Sequence, residues 1–181
     1  RGSEILSYAL AGTAPKHGPN AWTKEQLLTD KKNLFEHNIV RDRIVHTMKA
    51  ITPEVTIGET GIMELAHLYH LRTIITAKDS TKSLVEWARL LHPTPALGGE
   101  PREKALALLQ TYETHERGMY AAPFGFMKDM GDGIIVVAIR SALIMDHVLY
   151  AYAGCGVVAD SDADEEYAET NNKMRTILEA L

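Results

Sequence analysis

One cysteine in 181 residues leaves Cys155 without a partner for an internal disulfide and without companions for a thiolate zinc site, which suits a reducing cytosol. Long apolar runs are missing too. None approaches the roughly 18 residues that a membrane span requires, and the first residues show no secretory pattern. Nor is there a surplus of positive charge. The formal net charge is -5, and Lys and Arg are scattered rather than banded, so nucleic acid is not an expected partner and neither is a membrane. No Walker loop, dinucleotide fingerprint or nucleophile elbow occurs, nor any internal repeat or low-complexity tract. The chain opens Arg1-Gly2-Ser3 without methionine, so a tag remnant or an internal break point is expected before it. What is present is ordinary for a globular protein: 45% hydrophobic and 24% charged residues, enough for one core and one domain over residues 1–181.

Along the chain, Ile5 to Leu10 reads as a strand that runs into a Gly/Pro/Asn-rich turn ending near Asn20. Thr23, with Gln26 at the capping-box spacing, is expected to start a helix over Lys24–Ala50. Thr73-Ile74-Ile75-Thr76 is β-rich, and Ser80 or Thr81 then caps a helix through Leu91. His92-Pro93-Thr94-Pro95-Ala96-Leu97-Gly98-Gly99 is expected to form a shaped loop, because its prolines and glycines suit neither helix nor strand. Pro101 fits the first turn of a helix to about His115. Met119 to Lys128, Ile134 to Arg140 and His147 to Ala153 read as a three-stranded antiparallel meander. Asp160 or Ser161 should cap a final helix through Leu178. Helices mixed with strands joined by tight turns give an α+β class: an antiparallel sheet with packed helices.

Several clusters could carry chemistry. Glu166, Glu169 and Lys173 share one face of the last helix. They either form a solvated surface, with a Glu169–Lys173 pair worth about 0.3–0.5 kcal/mol, or hold a hard cation beside an anion-binding ammonium. Spacing alone leaves both open. Glu36 stands mid-helix among basic residues. Arg140 ends an apolar strand; a guanidinium buried there needs an anionic partner, and its fork suits a carboxylate. Glu64, His67 and His70 recur at three-residue spacing, which would suit a transition metal only if they lay on one helix. Gly154-x-Gly156 offers either a turn or a close backbone approach to an oxyanion.

Taken together, Leu10-Ala11-Gly12-Thr13, Lys32 through Glu36-His37, His70-Leu71, His92 through Gly99, Arg117-Gly118-Met119-Tyr120, Ile139-Arg140, Gly154-Cys155-Gly156 and Glu166-Tyr167-Ala168-Glu169-Thr170 with Lys173 resemble the chorismate-utilising enzymes. Within them they resemble the isochorismate synthases of menaquinone and siderophore pathways. The segments come in the family's order over nearly the whole chain. The resemblance implies that Glu36 and Glu169 ligate Mg2+, with Glu166 as a further carboxylate of the metal shell. It implies that Tyr120, Arg140, Gly156 and Lys173 contact the substrate's carboxylates, and that Gly12, Thr13 and His70 line the same pocket. Ala96 and Leu97 fall in a loop that separates subfamilies: anthranilate-forming relatives carry a threonine-bearing version of it. Cys155 stands where alanine is usual, Ala122 where glycine is common and Asn33 where many relatives are acidic.

The implied reaction converts chorismate to isochorismate by adding water at ring C2 with loss of the C4 hydroxyl. It needs a base, an acid and positive charge over a dianionic substrate. In the family the base lysine and acid glutamate precede the Leu-Ala-Gly-Thr segment. The resemblance therefore implies a C-terminal part with the metal half and the carboxylate half of the site, inactive alone, whose partner is the preceding part of the same protein or a second copy. A salicylate synthase and a non-catalytic chorismate- or metal-binding fragment are the alternatives.

Overall fold

The computed structural model describes residues 2–78 and 81–179. Its organising element is β4 (Leu68–Ala77), whose burial alternates along the strand, as a strand covered on one face requires. The β-rich core Thr73–Thr76 was the legible middle of it. β1 (Ile5–Pro15) pairs antiparallel along one edge of β4. β2 (Val55–Ile57) and β3 (Gly61–Glu64) share the other edge, both antiparallel.

The expected helix over 24–50 is two helices. The capping box at Thr23 and Gln26 is present and opens α1 (Lys24–Thr29). Asp30 then takes an extended conformation and accepts from the Asn33 amide, which starts α2 (Lys31–Lys49) afresh. An aspartate at an N-cap competes with helix continuation through its own side chain, which is why the helix breaks there. α2 lies across the sheet. Val40, Ile44 and Met48 form one stripe of it and pack with Ala9, Ile75, Ala77 and Trp87. Trp87 comes from α3 (Leu84–Leu91), capped by Ser83 with Glu86. The expected cap at Thr81 is not used, and Ser80 lies outside the described residues. A second cluster, Ala14, Leu27 and Leu71, fixes α1 over the other end of the sheet.

The segment expected to be a plain loop holds one helical turn, α4 (Pro95–Gly98). α5 (Arg102–Tyr112) follows with Pro101 as its N-cap rather than inside its first turn, and it stops short of His115 because Glu113 is extended and grips Arg117. The three-stranded meander is instead two separate hairpins: β5 (Pro123–Met127) with β6 (Gly133–Val137), and β7 (Ala142–Met145) with β8 (Val148–Ala151). The strand expected to reach Arg140 ends at Val137, where Ile139 N–H donates back to the Val137 carbonyl at 2.8 Å and Arg140 takes φ 53°. That γ-turn redirects the chain. Asp146 and His147, both at positive φ, make the tight β7–β8 turn with the hand a twisted hairpin prefers. α6 (Ala163–Leu178) is capped by Asp162, one or two residues later than expected. The class is α+β with antiparallel sheets, as the sequence indicated. Among the described residues, no helix is long and apolar enough to cross a membrane.

Candidate functional site: a carboxylate and cation cluster

The β1–β4 register slips between Leu10 and Thr13, and Gly12 sits in the slip at φ 78°. A Cβ there would lie 3.0 Å from the Asn33 carbonyl oxygen and 3.0 Å from Leu71 Cδ1, so only glycine lets α2 come this close to the strand. The kink aims the Thr13 amide at Asn33 Oδ1, 2.9 Å away, and sets Thr13 Oγ1 2.9 Å from His70 Nδ1 on the neighbouring strand. Asn33 also donates from Nδ2 to Asp30. An amide both accepts and donates here; an acid could only accept, which gives this sequence departure a local reason.

One turn along α2, His37 is fully buried. Burial keeps its imidazole below the usual histidine range. In the neutral ring Nδ1–H donates to the Ala11 carbonyl and Nε2 accepts from Thr73, which leaves Thr60 to donate to Thr73. His37 therefore ties α2 to two strands, and its neighbour Glu36 is held facing α6.

Glu36, Glu166 and Glu169 come together between α2 and α6. Burial pushes the Glu36 carboxyl up; Lys32 opposes that, and the charges of Glu169 and Glu166 add to it. Burial would raise Glu166 also, but hydrogen bonds from Ser161 at 2.7 Å and Lys32 at 3.0 Å hold it below the usual carboxylate range. Glu169 pairs with Lys173, whose ammonium also donates to the Gly154 carbonyl. The three carboxylates thus attract positive charge and present oxygen donors only, the chemistry a hard cation takes. As the side chains stand, no three His, Cys, Asp or Glu converge on one point among the described residues.

Arg140 is half-buried, and among the described residues no carboxylate lies within ion-pair range of it. Burial lowers its pKa, against the pull of Glu169. His70 is driven down to about 4 by burial first and then by the charges of Arg140 and Lys173, so it is neutral at pH 7. Tyr120 stacks on Tyr152, ring centroids 5.4 Å apart, and burial raises its phenol. Gly154 passes Tyr120 so closely that a Cβ would meet the phenolic oxygen at 3.0 Å, and a Cβ on Gly156 would reach Glu36 Oε2 at 4.0 Å. The interactions link Thr13, beside Gly12, to His70, His70 to Arg140 and Lys173, Tyr120 to Arg140, Arg140 to Glu169, and Gly156 to Glu36.

Two expectations fare differently. Glu64, His67 and His70 do not lie on a helix: Glu64 pairs with Lys16 and Lys24, His67 with Glu179 and His70 with Thr13. That removes the transition-metal arrangement. Ala96 is exposed on α4. Leu97 is tied in through its carbonyl, which accepts from Arg117 at 2.8 Å, and Arg117 acts electrostatically on Tyr120. Lys32, Ser161 and Tyr152 were missed as site residues. Lys32 stands four residues before Glu36 on one helix face, a signal that was there to use; the other two are brought in by tertiary structure. A recess of about 590 Å3 between α3 and β5–β6 contains none of these residues.

Residues 1–181 match the family model described as "Chorismate binding enzyme". The chain is 38% identical over 186 residues to the salicylate biosynthesis isochorismate synthase of Pseudomonas aeruginosa, covering 100% of this chain and 39% of that protein. It is 37% identical to an isochorismate synthase, MenF, of Bacillus subtilis, covering 99% of this chain and 39% of that one. Superposed on the crystal structure of DhbC from Bacillus anthracis, it gives a TM-score of 0.93 at 32% identity, spanning 99% of this chain and 50% of that chain. The chain therefore spans well under two thirds of the proteins it resembles.

Proposed function

The chain belongs to the chorismate-binding enzyme family, and from that premise we propose that it is the metal- and carboxylate-binding part of an isochorismate synthase serving menaquinone or siderophore biosynthesis. The observation that carries this reading is Arg140: a half-buried guanidinium with no carboxylate of its own, beside Lys173, Tyr120 and a neutral His70. A dianionic substrate supplies the missing charge. Arg140 takes one carboxylate through its fork. Lys173 and the Tyr120 hydroxyl complete the polar wall. Gly12, Thr13 and His70 close the side made by the β1 kink, with His70 uncharged so that it orients substrate by hydrogen bonding.

Glu36, Glu166 and Glu169 would hold Mg2+, which when bound supplies positive charge against the substrate's ring carboxylate. Their donor chemistry fits, and their mutual repulsion through Glu36 is what a cation relieves. The proton-moving base and acid are assigned to polypeptide beyond these residues, and residues 1–181 form one partial domain of the whole enzyme. The substrate is chorismate and the product isochorismate.

The test is a calorimetric titration of the chain with chorismate in Mg2+. Arg140→Gln should weaken binding at least about tenfold, as loss of a charge-assisted bidentate contact does. A polypeptide of the relatives' full length should form isochorismate, while the 181-residue chain should show no turnover. Salicylate and pyruvate from the long polypeptide would move the assignment to a salicylate synthase, and undiminished binding by Arg140→Gln would remove the site.

A further inference from the structure

Ten residues beyond Glu36 on α2, about 15 Å along the helix, lies a second recess of about 340 Å3, bounded by α2, the end of α3 and the start of α5. Arg43 and His46 of α2, Arg89 of α3 and Arg102 of α5 line it, and the rest of its lining is uncharged. None of the three arginines forms an ion pair among the described residues. Of the acids near them in sequence, Asp42 is committed to Arg41 and Glu86 to Ser83 and Lys82, while Glu100 and Glu103 flank Arg102 in sequence without lining the recess.

We propose that this recess is a binding site for a compact oligoanion carrying two or more negative charges, such as a diphosphate or a polycarboxylate. Guanidinium groups stay charged at all accessible pH and are built to grip phosphate and carboxylate oxygens. Three of them around one cavity repel one another unless an anion lies between them. The cavity sits near the C-terminal end of α2, whose partial charge of about −0.5 opposes an anion. The last carbonyls of that helix already accept from the Ala50, Ile51 and Thr52 amides, and three full positive charges outweigh it. The walls are also rigid. Ile44 and Met48 anchor α2 in the core, Trp87 anchors α3, and the Arg102 guanidinium is held by a 2.9 Å bond to the His92 carbonyl. The volume lies at the small end of ligand pockets, which restricts the occupant to a compact molecule.

Pyrophosphate and citrate are the probes, titrated separately into the chain by calorimetry in 0.1 M chloride. Saturable one-to-one binding of either is expected; the tighter of the two identifies the ligand as phosphate- or carboxylate-bearing. Arg43→Gln with Arg89→Gln should weaken it at least tenfold, whereas the exposed Lys31→Gln should not change it. Arg89→Gln alone, at an exposed position, should weaken it severalfold and serves if the double variant does not fold. Absence of saturable binding, equal loss in Lys31→Gln, or tighter binding of a poly-glutamate peptide than of both probes would overturn the proposal.

Discussion

The two hairpins β5–β6 and β7–β8 are made of strands more apolar than those of the sheet β1–β4 with α2 across it, yet they bury them less. Along β4 every second residue from Leu71 to Ala77 is buried. In β5 and in β7 every residue is exposed, among them Phe124, Phe126, Leu143 and Ile144. Apolar composition specifies a strand; cover comes from another element, and an isolated hairpin has none. The lesson bears on function, because the site draws on both regions. α2 and β4 bring Glu36 and His70 on a packed frame, whereas Tyr120 and Arg140 flank hairpins whose strands β5 and β7 are exposed along their length among the described residues. The proposed companion, the rest of a full-length enzyme, would dock on those apolar strands.

That contrast can be broken first by stability. Trp87→Ala removes a side chain from the buried cluster and should cost about 3–5 kcal/mol in urea unfolding. Phe126→Ser should stay within about 0.5 kcal/mol, and it should reduce concentration-dependent self-association seen by sedimentation. A comparable loss for Phe126→Ser would show that the hairpin is packed after all.

A smaller effect concerns pH. The folded pKa of His70, about 4, lies below the unfolded value near 6.5. As pH falls the unfolded chain takes up the proton first, so stability drops from pH 6.5 towards 4 and then levels, by at most about 3 kcal/mol. His37 adds a loss of the same sign. The urea midpoint of His70→Gln should fall less over that range than wild type; parallel profiles would place His70 outside the charged cluster.

The smallest effect is on selectivity. In a full-length enzyme Ala96→Thr adds a hydroxyl and a methyl on α4 and should shift the ratio of isochorismate to other products by about tenfold. An unchanged ratio would leave Ala96 as an exposed residue of the helical turn.

Much of this was legible because it is local. The Thr23 capping box, the β-rich run Thr73–Thr76 and the shared face of Glu166, Glu169 and Lys173 all follow from residue types and spacing within a few positions. The break at Asp30 was hidden by apolar periodicity that continues through it, and a capping side chain decided the matter. The end of β6 at Val137 depends on one backbone turn that an unbroken run of isoleucine and valine does not announce. At the site, spacing left the α6 carboxylates open between a solvated face and a cation site. The approach of Glu36 and Lys32 from α2, across more than a hundred residues, is tertiary information. The resemblance supplied it where periodicity could not.

The proposed function makes Glu36, Glu166 and Glu169, together with Arg140 and Lys173, one site for a cation and a dicarboxylate. The most direct measurement is a calorimetric Mg2+ titration of the chain with and without saturating chorismate, for wild type and Glu169→Gln. Chorismate should tighten Mg2+ binding at least tenfold in wild type, by direct linkage. Glu169→Gln should abolish that gain while chorismate alone still binds weakly through Arg140 and Lys173. Superimposable Mg2+ isotherms for the two proteins would contradict the account and leave Glu169 as one half of a solvated helix pair.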